Sequence, residues 1–442
     1  MSNQNFDEFE RDEELLESRR LMRLEMKRKR KIQQRIILGV FAAVLVLVIA
    51  LVVKGCSNRS ESDQNIETQV PDENLLPDEP VDPPKPDTKA TLSAVGDIMI
   101  YDEIIADAKQ EDGSYSFEDC FKAISGFTAQ SNITVGNLEL NFLGSDYSGK
   151  PAWNAPESLA SDLKNIGFDI LQTANTYSIN NGINGLTNTI KFVNTAGMDH
   201  LGTYIESSEK ADGGGVVLRE INGIKIAFVA FTKGCNGYTL PSGSEYCVDL
   251  LYTDYNKNYS NINESAILER LDAAKQHEPD VLVAMLHWGA EYETETSASQ
   301  EEITKLMLKN GVDVILGSHS HVVGPMETRT VETVDGETKE CFIAYSLGNF
   351  FSYMPDKDYT MESVILNLEF TKSGETGETT ISKAEYMPIY ILDRGEEAET
   401  RFEVLPIRAA IESSLFEDYK NDMLDAIDNL KKNTSSDFDS GK

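Results

Sequence analysis

Two short histidine-containing segments, each directly after an apolar run, constrain the fold of this chain more than any other feature. The chain has five histidines in 442 residues, and three of them lie in residues 287–291 (HWGAE) and 317–321 (GSHSH). The preceding runs, residues 280–286 and 312–316, have the length and apolar content of buried strands. Polar groups at such strand ends are typical of an α/β protein, in which the carboxyl ends of the strands form the ligand-binding crevice.

Two further strand-like runs end in acidic side chains. Residues 91–95 lead into Asp97, and residues 133–135 lead into Glu139. If all four strand ends meet, the acids and the histidines form a mixed oxygen and nitrogen set that suits zinc, manganese or iron. Taken singly, the histidines could be surface loop residues, Asp97 could cap a helix and Glu139 could be solvated. The predicted metal ligands are Asp97, Glu139, His287, His319 and His321.

His319 and His321 reach one site only if a turn begins at this point. Gly317 precedes them, and we expect this glycine to supply the backbone freedom for the turn.

The amino-terminal part of the chain is predicted to anchor it in the cell membrane. Residues 36–53 carry no charge and are long enough to cross a bilayer as one helix. Because basic residues crowd residues 27–31, we expect residues 1–35 in the cytoplasm and the chain after residue 53 outside the cell. An acidic, proline-rich stalk follows over residues 54–89. Cleavage as a signal peptide and lipoprotein processing at Cys56 are weaker alternatives, because the charged segment before the apolar run is long.

Charge and cysteine content limit the function further. The net charge of −34 argues against nucleic acid as a partner, because phosphates need Lys and Arg. Cys235 and Cys247 flank a loop that contains Gly and Pro, and they could pair outside the membrane. With an odd count of five cysteines, an unpaired structural role fits equally well.

From residue 90 onward, apolar runs alternate with amphipathic helical patterns, which predicts parallel strands covered by helices. Strands are predicted at residues 168–173, 225–231, 281–286 and 312–316, and helices at residues 186–196, 266–276 and 300–310. Residues 341–345 and 363–370 are predicted as strands joined by loops, which indicates a second, partly antiparallel sheet. The globular domain is expected to cover residues 90–411, followed by a carboxyl-terminal helix and polar tail over residues 412–442.

Five motifs follow one another along the chain: residues 96–99 (GDIM), 136–139 (GNLE), 287–292 (HWGAEY), 317–322 (GSHSHV) and 345–350 (YSLGNF). In order and spacing they resemble the motifs of the CapA family of poly-γ-glutamate capsule-synthesis proteins. The resemblance covers about residues 90–410, and a loop at residues 231–237 also resembles the family. The family is a branch of the calcineurin-like metallophosphoesterases. This implies an α/β four-layer sandwich of two mixed β-sheets flanked by helices, here preceded by a single transmembrane helix.

The resemblance implies a role for each predicted site residue. Glu139 would bridge two divalent metal ions (manganese, zinc or iron). Asp97 and His321 would hold one ion, while His287 and His319 would hold the other. Glu291 is a catalytic candidate by its place in a motif. Supporting or substrate contacts are implied for Asn137, Asn175, Ser346 and Asn349.

Two departures from the family pattern bear on catalysis. Met99 stands where many phosphoesterases have a histidine ligand, as is common in the CapA branch. The family usually has Asn-Asn-His where this chain has Asn175, Thr176 and Tyr177. Tyr177, our second catalytic candidate, thus occupies the position of the proton-transferring histidine, and Thr176 that of a metal-binding asparagine. A tyrosine has a pKa of about 10 and is a poor acid–base group at neutral pH, so the chemistry is either altered or lost.

Two functions are compatible with these residues. The first is a membrane-anchored, extracellular, metal-dependent hydrolase of phosphoester or amide bonds in an envelope polymer. The second is a non-catalytic assembly protein in which a bound cation bridges the acidic protein and an anionic polymer. The expected partners are poly-γ-glutamate or a similar polymer and, as the family implies, an integral-membrane polymer synthetase complex. The five predicted ligands slightly favour the hydrolase, whereas Thr176 and Tyr177 favour the binding protein.

Overall fold

The computed structural model describes residues 85–212, 214–434 and 438–441. Its strands are β1 (Thr88–Ile98), β2 (Ile133–Leu138), β3 (Ile170–Gln172), β4 (Asp199–Leu201), β5 (Val217–Ile221), β6 (Ile224–Thr232), β7 (Val281–His287), β8 (Val314–Ser318), β9 (Met326–Glu332), β10 (Thr338–Ala344), β11 (Asn349–Phe351), β12 (Glu362–Lys372), β13 (Thr379–Asp393) and β14 (Phe402–Pro406). Its α-helices are α1 (Asp102–Ala108), α2 (Glu118–Phe121), α3 (Ser125–Thr128), α4 (Ser158–Asn165), α5 (Gly182–Thr195), α6 (Ser207–Asp212), α7 (Glu264–Gln276), α8 (Ala298–Lys309), α9 (Ile407–Ile411) and α10 (Lys420–Asn433). Short 3₁₀ helices cover Glu245–Cys247 and Ser414–Tyr419.

The first sheet is built around β1. Its strand order is β14-β13-β12-β1-β2-β3-β4, and β11 also pairs with β1. β1 runs parallel to β2 and β11 but antiparallel to β12. Because β1 and β2 are parallel neighbours, their carboxyl ends lie at the same edge of the sheet.

The second sheet has the order β5-β6-β7-β8-β10-β9. The four inner strands are parallel, and an antiparallel strand closes each side. The carboxyl ends of β6, β7 and β8 therefore lie side by side.

The residues of β6 show how the two sheets and the helices are layered. Phe228 lies in a core that it shares with Leu92 of β1, so the two sheets pack against each other. The next residue, Val229, points to the opposite face and packs with Leu271 of α7. On the outer face of the first sheet, Ile98 lies in a separate core with residues of α4. The order of layers is helices, sheet, sheet, helices, as predicted.

The sheet membership of two strands differs from the prediction. Residues 341–345 and 363–370 were expected together in one additional sheet. Instead, β10 extends the sheet that contains β7 and β8, while β12 pairs with β1 in the other sheet. The predicted helical and strand segments between residues 168 and 316 are all present, with ends that differ by a few residues.

The carboxyl-terminal helix begins later than predicted and is part of the main core. A 3₁₀ segment precedes it, and Phe416 there has non-helical backbone angles of φ −119° and ψ 20°. In α10, Met423, Ile427 and Leu430 are buried in the core between the sheets.

The predicted membrane span and stalk cannot be compared with the structure, whereas the predicted cysteine pair can. The predicted span at residues 36–53 and nearly all of the stalk lie outside the described residues. Among the residues that are described, no helix combines the length and the apolar character needed to cross a membrane. Cys235 and Cys247 are both buried free thiols.

Gly317 has a different role from the one predicted. The left-handed backbone of the turn lies at His319 and His321, with φ of 93° and 61°, and not at the glycine. A Cβ at Gly317 would lie 1.9 Å from Tyr345 O and 2.8 Å from Trp288 Nε1. The glycine therefore permits a close approach of two backbone segments.

We expect Gly317→Ala to lower the free energy of unfolding by about 1–3 kcal/mol, the usual cost of forcing extra atoms into a packed core. Gly126→Ala is the matched control, because a Cβ there would meet nothing within 4 Å. Urea unfolding followed by tryptophan fluorescence measures both. Equal stability of the Gly317 variant and the wild type would contradict the close approach.

Candidate metal centre

Two rows of strand-end residues, one from each sheet, form the centre. In the first sheet, the strand register aligns Asp97 with Asn137 on one side and Asn349 on the other. In the second sheet, His287 is aligned with Ser318. The packing of the sheets brings the two rows together, so that acids from one sheet meet histidines from the other.

Asp97 joins both rows. Its Oδ1 accepts a hydrogen bond from Asn137 Nδ2 at 2.7 Å, and its Oδ2 accepts one from the backbone N–H of His319 at 3.2 Å. Oδ2 also lies 3.1 Å from His321 Nδ1. Asp97 is fully buried, and these contacts fix the carboxylate rather than leave it to cap a helix.

Glu139 and His287 form the other contact between the sheets. Glu139 Oε1 lies 3.2 Å from His287 Nε2, and the hydroxyl of Thr176 lies 2.8 Å from the same nitrogen. Thr176 Oγ1 is also 3.3 Å from His319 Nδ1. The hydroxyl of Thr176 therefore lies where the resemblance places a metal-binding asparagine.

His319 and His321 converge on the centre because both adopt left-handed backbone angles. Such angles are rare for residues other than glycine and cost about 1–3 kcal/mol each, so surrounding contacts must hold them. The backbone N–H of His319 bonds to Asp97, and His321 Nδ1 lies 3.1 Å from Asn349 Oδ1. The rings of His287 and His319 are 4.6 Å apart. The predicted turn is confirmed, although its physical cause is not the glycine.

These contacts gather the predicted ligands into two groups that share one carboxylate. Each group offers donor atoms within 4.8 Å of one another, and every member is buried. Glu139 Oε2 is buried without a hydrogen-bond partner, which is costly unless a cation satisfies it. The residues present therefore fit bound divalent cations. The first group is Glu139, His287 and His319, and the second is Asp97, Glu139 and His321.

The charges of the centre favour an ionised carboxylate at Asp97. Burial alone would raise the pKa of Asp97, but its hydrogen bond to His321 and the charge of that histidine lower it. Burial would lower the pKa of His321, but Asp97 and the charge of Glu139 reverse the shift and raise it to about 9. The pKa of His319 is held well below its usual value by burial and by the charges of His287 and Lys233. His319 is therefore a neutral nitrogen donor at physiological pH.

Aromatic side chains surround Tyr177 at the edge of the centre. The ring of Trp153 lies 5.1 Å from that of Tyr177 and 5.0 Å from that of Tyr101. Burial, and then the charge of Glu139, raise the pKa of Tyr177 well above its usual range. The hydroxyl group of Tyr177 can donate a hydrogen bond, but it is a weaker acid than a free tyrosine.

The remaining predicted residues support the centre in different ways. Asn175 donates to Asn137 Oδ1 at 3.2 Å and to the Leu138 carbonyl at 2.7 Å, so its amide joins the loop after β3 to the end of β2. Ser346 Oγ accepts from the backbone N–H of Gly348 and serves its own loop. Glu291 is exposed, and it is in neither donor group.

Three other predicted or compared positions complete this account. Asn349, fully buried, donates to the Thr360 carbonyl at 3.0 Å and faces His321 with its oxygen. Asn137 spans the two sheets, because its Nδ2 also lies 3.3 Å from His287 Nδ1. Met99 is buried in the apolar core outside the centre.

Sequence analysis missed several neighbours of the centre. Ser318 Oγ lies 3.0 Å from His287 Nδ1 and orients that ring. Its place between Gly317 and His319 in the motif was the available signal. Trp153 gave no signal in its local sequence. Lys233 lies in the family-like loop at residues 231–237, but that resemblance did not indicate that its side chain faces the strand ends.

Comparison with known proteins identifies the family. Residues 91–354 match the family described as bacterial capsule synthesis protein PGA_cap. The chain belongs to this family. It is 27% identical over 271 residues to the capsule biosynthesis protein CapA of Bacillus anthracis, which covers 59% of each chain. It is 24% identical over 293 residues to the PGA biosynthesis protein CapA of Bacillus subtilis, covering 65% of this chain and 70% of that protein. The chain thus spans only part of the length of these family members.

Solved structures give a weaker comparison for this PGA_cap family member. A 5'-nucleotidase precursor from Thermus thermophilus has a TM-score of 0.39 and 11% identity, covering 78% of this chain and 59% of that one. A phosphatase from Mycoplasma pneumoniae has a TM-score of 0.36 and 12% identity, covering 69% of this chain and 94% of that one. At TM-scores below 0.5, these likenesses establish no function for the chain.

We expect His319→Ala to lower the metal content of the protein and its thermal stability, because a ligand that binds the native state stabilises it. His277→Ala is the matched control, since His277 follows α7 and precedes the opposite end of β7. Elemental analysis and thermal melting with added manganese or zinc measure both effects. Unchanged metal content in the His287, His319 and His321 single variants would show that these buried histidines do not bind metal.

Proposed function

We propose that this protein is a metal-dependent hydrolase that cleaves phosphoester or amide bonds of an anionic envelope polymer such as poly-γ-glutamate. The observation that carries the proposal is the pair of donor groups that share Glu139. Glu139 and its neighbours in the two groups would hold divalent cations, which would supply the Lewis acidity for hydrolysis of one substrate group.

The residues of the centre would have different roles in such a reaction. Divalent cations bound here would supply Lewis acidity and lower the pKa of a water molecule. Asp97, Glu139 and the three histidines hold the charge in place. Asn137 and Ser318 orient those ligands from behind. Trp153 and Tyr177 pack against each other at the edge of the centre.

The family and its members support the choice of polymer. The matched family is described as a capsule synthesis protein, and the Bacillus subtilis relative as a PGA biosynthesis protein. Under this proposal, the protein acts on the polymer during or after its synthesis, beside an integral-membrane synthetase complex. The net charge of −34 repels such a polymer, so bound cations would also contribute to its binding.

One observation favours a second function, a protein that binds the polymer without cleaving it. Thr176 offers a hydroxyl to His287 and His319 where relatives would offer an amide. Burial raises the pKa of Tyr177, which makes this residue a poor proton donor to a leaving group. A protein that has lost hydrolytic activity would keep its metal ligands in order to bind an anionic polymer chain.

Restoring the family residues tests which function holds. We expect Thr176→Asn with Tyr177→His to raise the hydrolysis rate, most for alkyl phosphodiesters, because poor leaving groups need protonation. General-acid assistance contributes typically about 10²–10⁴-fold, so partial rescue is measurable. Aryl and alkyl phosphodiesters are compared, with both single variants as controls and metal content measured for each.

Each result of that comparison has a distinct meaning. A metal-loaded wild type that is inactive, with activity gained by the double variant, identifies a binding protein on a lapsed hydrolase. An active wild type that the double variant slows shows that Tyr177 takes part in a different chemistry. If no variant turns over any substrate while all bind metal and polymer, the hydrolase proposal fails.

We also propose that residues 36–53 anchor the protein in the cell membrane, with residues 90–442 outside the cell. The support is the uncharged run itself and the basic cluster before it. Protease added to intact protoplasts is expected to digest residues 90–442, while a cytoplasmic marker protein survives. Digestion only after lysis would reverse this orientation.

A further inference from the structure

Lys233 lies at the same strand-end edge as the metal-binding groups. It directly follows β6, whose last residue, Thr232, is aligned with His287. The backbone N–H of Lys233 donates to the His287 carbonyl at 2.8 Å. This contact places the start of the lysine side chain beside the histidine row of the second sheet.

The ammonium group of Lys233 is only partly satisfied. Nζ donates to the Gly289 carbonyl at 2.5 Å and lies 4.6 Å from the centre of the Tyr259 ring. Within residues 85–212, 214–434 and 438–441, no carboxylate forms an ion pair with it. An ammonium group has three N–H donors, so two remain for another acceptor.

The surroundings of Lys233 make an anion a favourable acceptor. Its side chain is partly buried, and an ammonium group taken out of water is costly unless a charged or polar acceptor pairs with it. The charge of Lys233 also lowers the pKa of His319, although burial and the charge of His287 lower it more. The lysine is therefore a positive charge close to the metal-binding groups, in a protein that carries a large negative charge.

We propose that Lys233 binds a carboxylate of the polymer chain held at the two donor groups, and so selects an anionic polyamide over a neutral one. This inference rests on the proposed function, in either its hydrolytic or its binding form. Lys233 follows a strand of the second sheet, whereas the Trp153 and Tyr177 rings extend from loops of the first. A chain bound across the centre would place its carboxylate at Lys233 and its apolar backbone carbons against those rings.

A lysine is suited to this role because its charge does not demand one fixed geometry. Its ammonium group is a compact charge on a flexible stem, which accepts a carboxylate from several directions. A polymer that carries one carboxylate per residue can then move by one residue and present the next carboxylate to the same amine.

The test uses calorimetry to compare how metal-loaded, full-length protein binds two probes. One is a γ-linked triglutamate peptide, and the other is the same peptide with its free α-carboxylates amidated. We expect the wild type to prefer the acid by about 10- to 100-fold, the range typical of one hydrogen bond to a charged group. Lys233→Met is expected to bind both peptides equally, and Lys233→Arg to keep the preference. Metal content and thermal melting confirm that each variant is folded and loaded.

Lys275→Met is the matched control, because it removes the same charge from α7, where Lys275 pairs with Asp272. This control should keep the wild-type preference. A preference that survives in Lys233→Met, is absent from the wild type, or falls equally in Lys275→Met overturns the inference. Lys233-dependent binding of a glycerol phosphate oligomer that equals binding of the acid peptide overturns the choice of carboxylate.

The outcome for Lys233 can be separated from that for the proposed function. Hydrolysis of an aryl phosphodiester that carries no carboxylate, together with the metal content, reports on the centre itself. If these are intact while Lys233→Met has no effect, the inference fails and the function stands. If the wild type neither binds metal nor binds either peptide, both fail together.

Discussion

Glu139 and His287 belong to different sheets, yet their side chains are 3.2 Å apart. Asp97 and His321 make the second such contact at 3.1 Å. Both contacts exist because the inner faces of the two sheets share one core, in which residues such as Leu92 and Phe228 are fully buried. A change in the distance between the sheets would therefore separate the acids from the histidines, and the centre depends on the packing of that core.

Strand ends were predictable from the sequence, but the partners of several strands were not. The alternation of apolar runs and helical patterns located β6, β7 and β8, because a buried parallel strand has a continuous apolar run. The pairing of β12 with β1 joins segments far apart in the chain, and no local pattern encodes it. A loop connection from β10 to β12 indicates only that the two are not joined by a helix.

The candidate site was likewise predictable only in part from the sequence. The order of the motifs predicted that Asp97, Glu139 and the three histidines converge, and the structure brings them together. The order of the motifs did not predict the left-handed backbone angles at His319 and His321, because local preference assigns such angles to glycine. Contacts with Asp97 and Asn349 override that preference. Trp153 and Lys233 were missed because the direction of a side chain beyond a strand end depends on the whole fold.

The position of α10 has a consequence for how the protein folds. Met423, Ile427 and Leu430 lie in the same core as Leu92, although more than 300 positions in the sequence separate them from it. β1, the first strand among the described residues, also pairs with β11 and β12, which are synthesised much later. The core therefore cannot close until almost the whole chain has been synthesised, and contacts between such distant segments make folding slow. A chain of this kind stays unfolded during synthesis for longer than one built from local contacts.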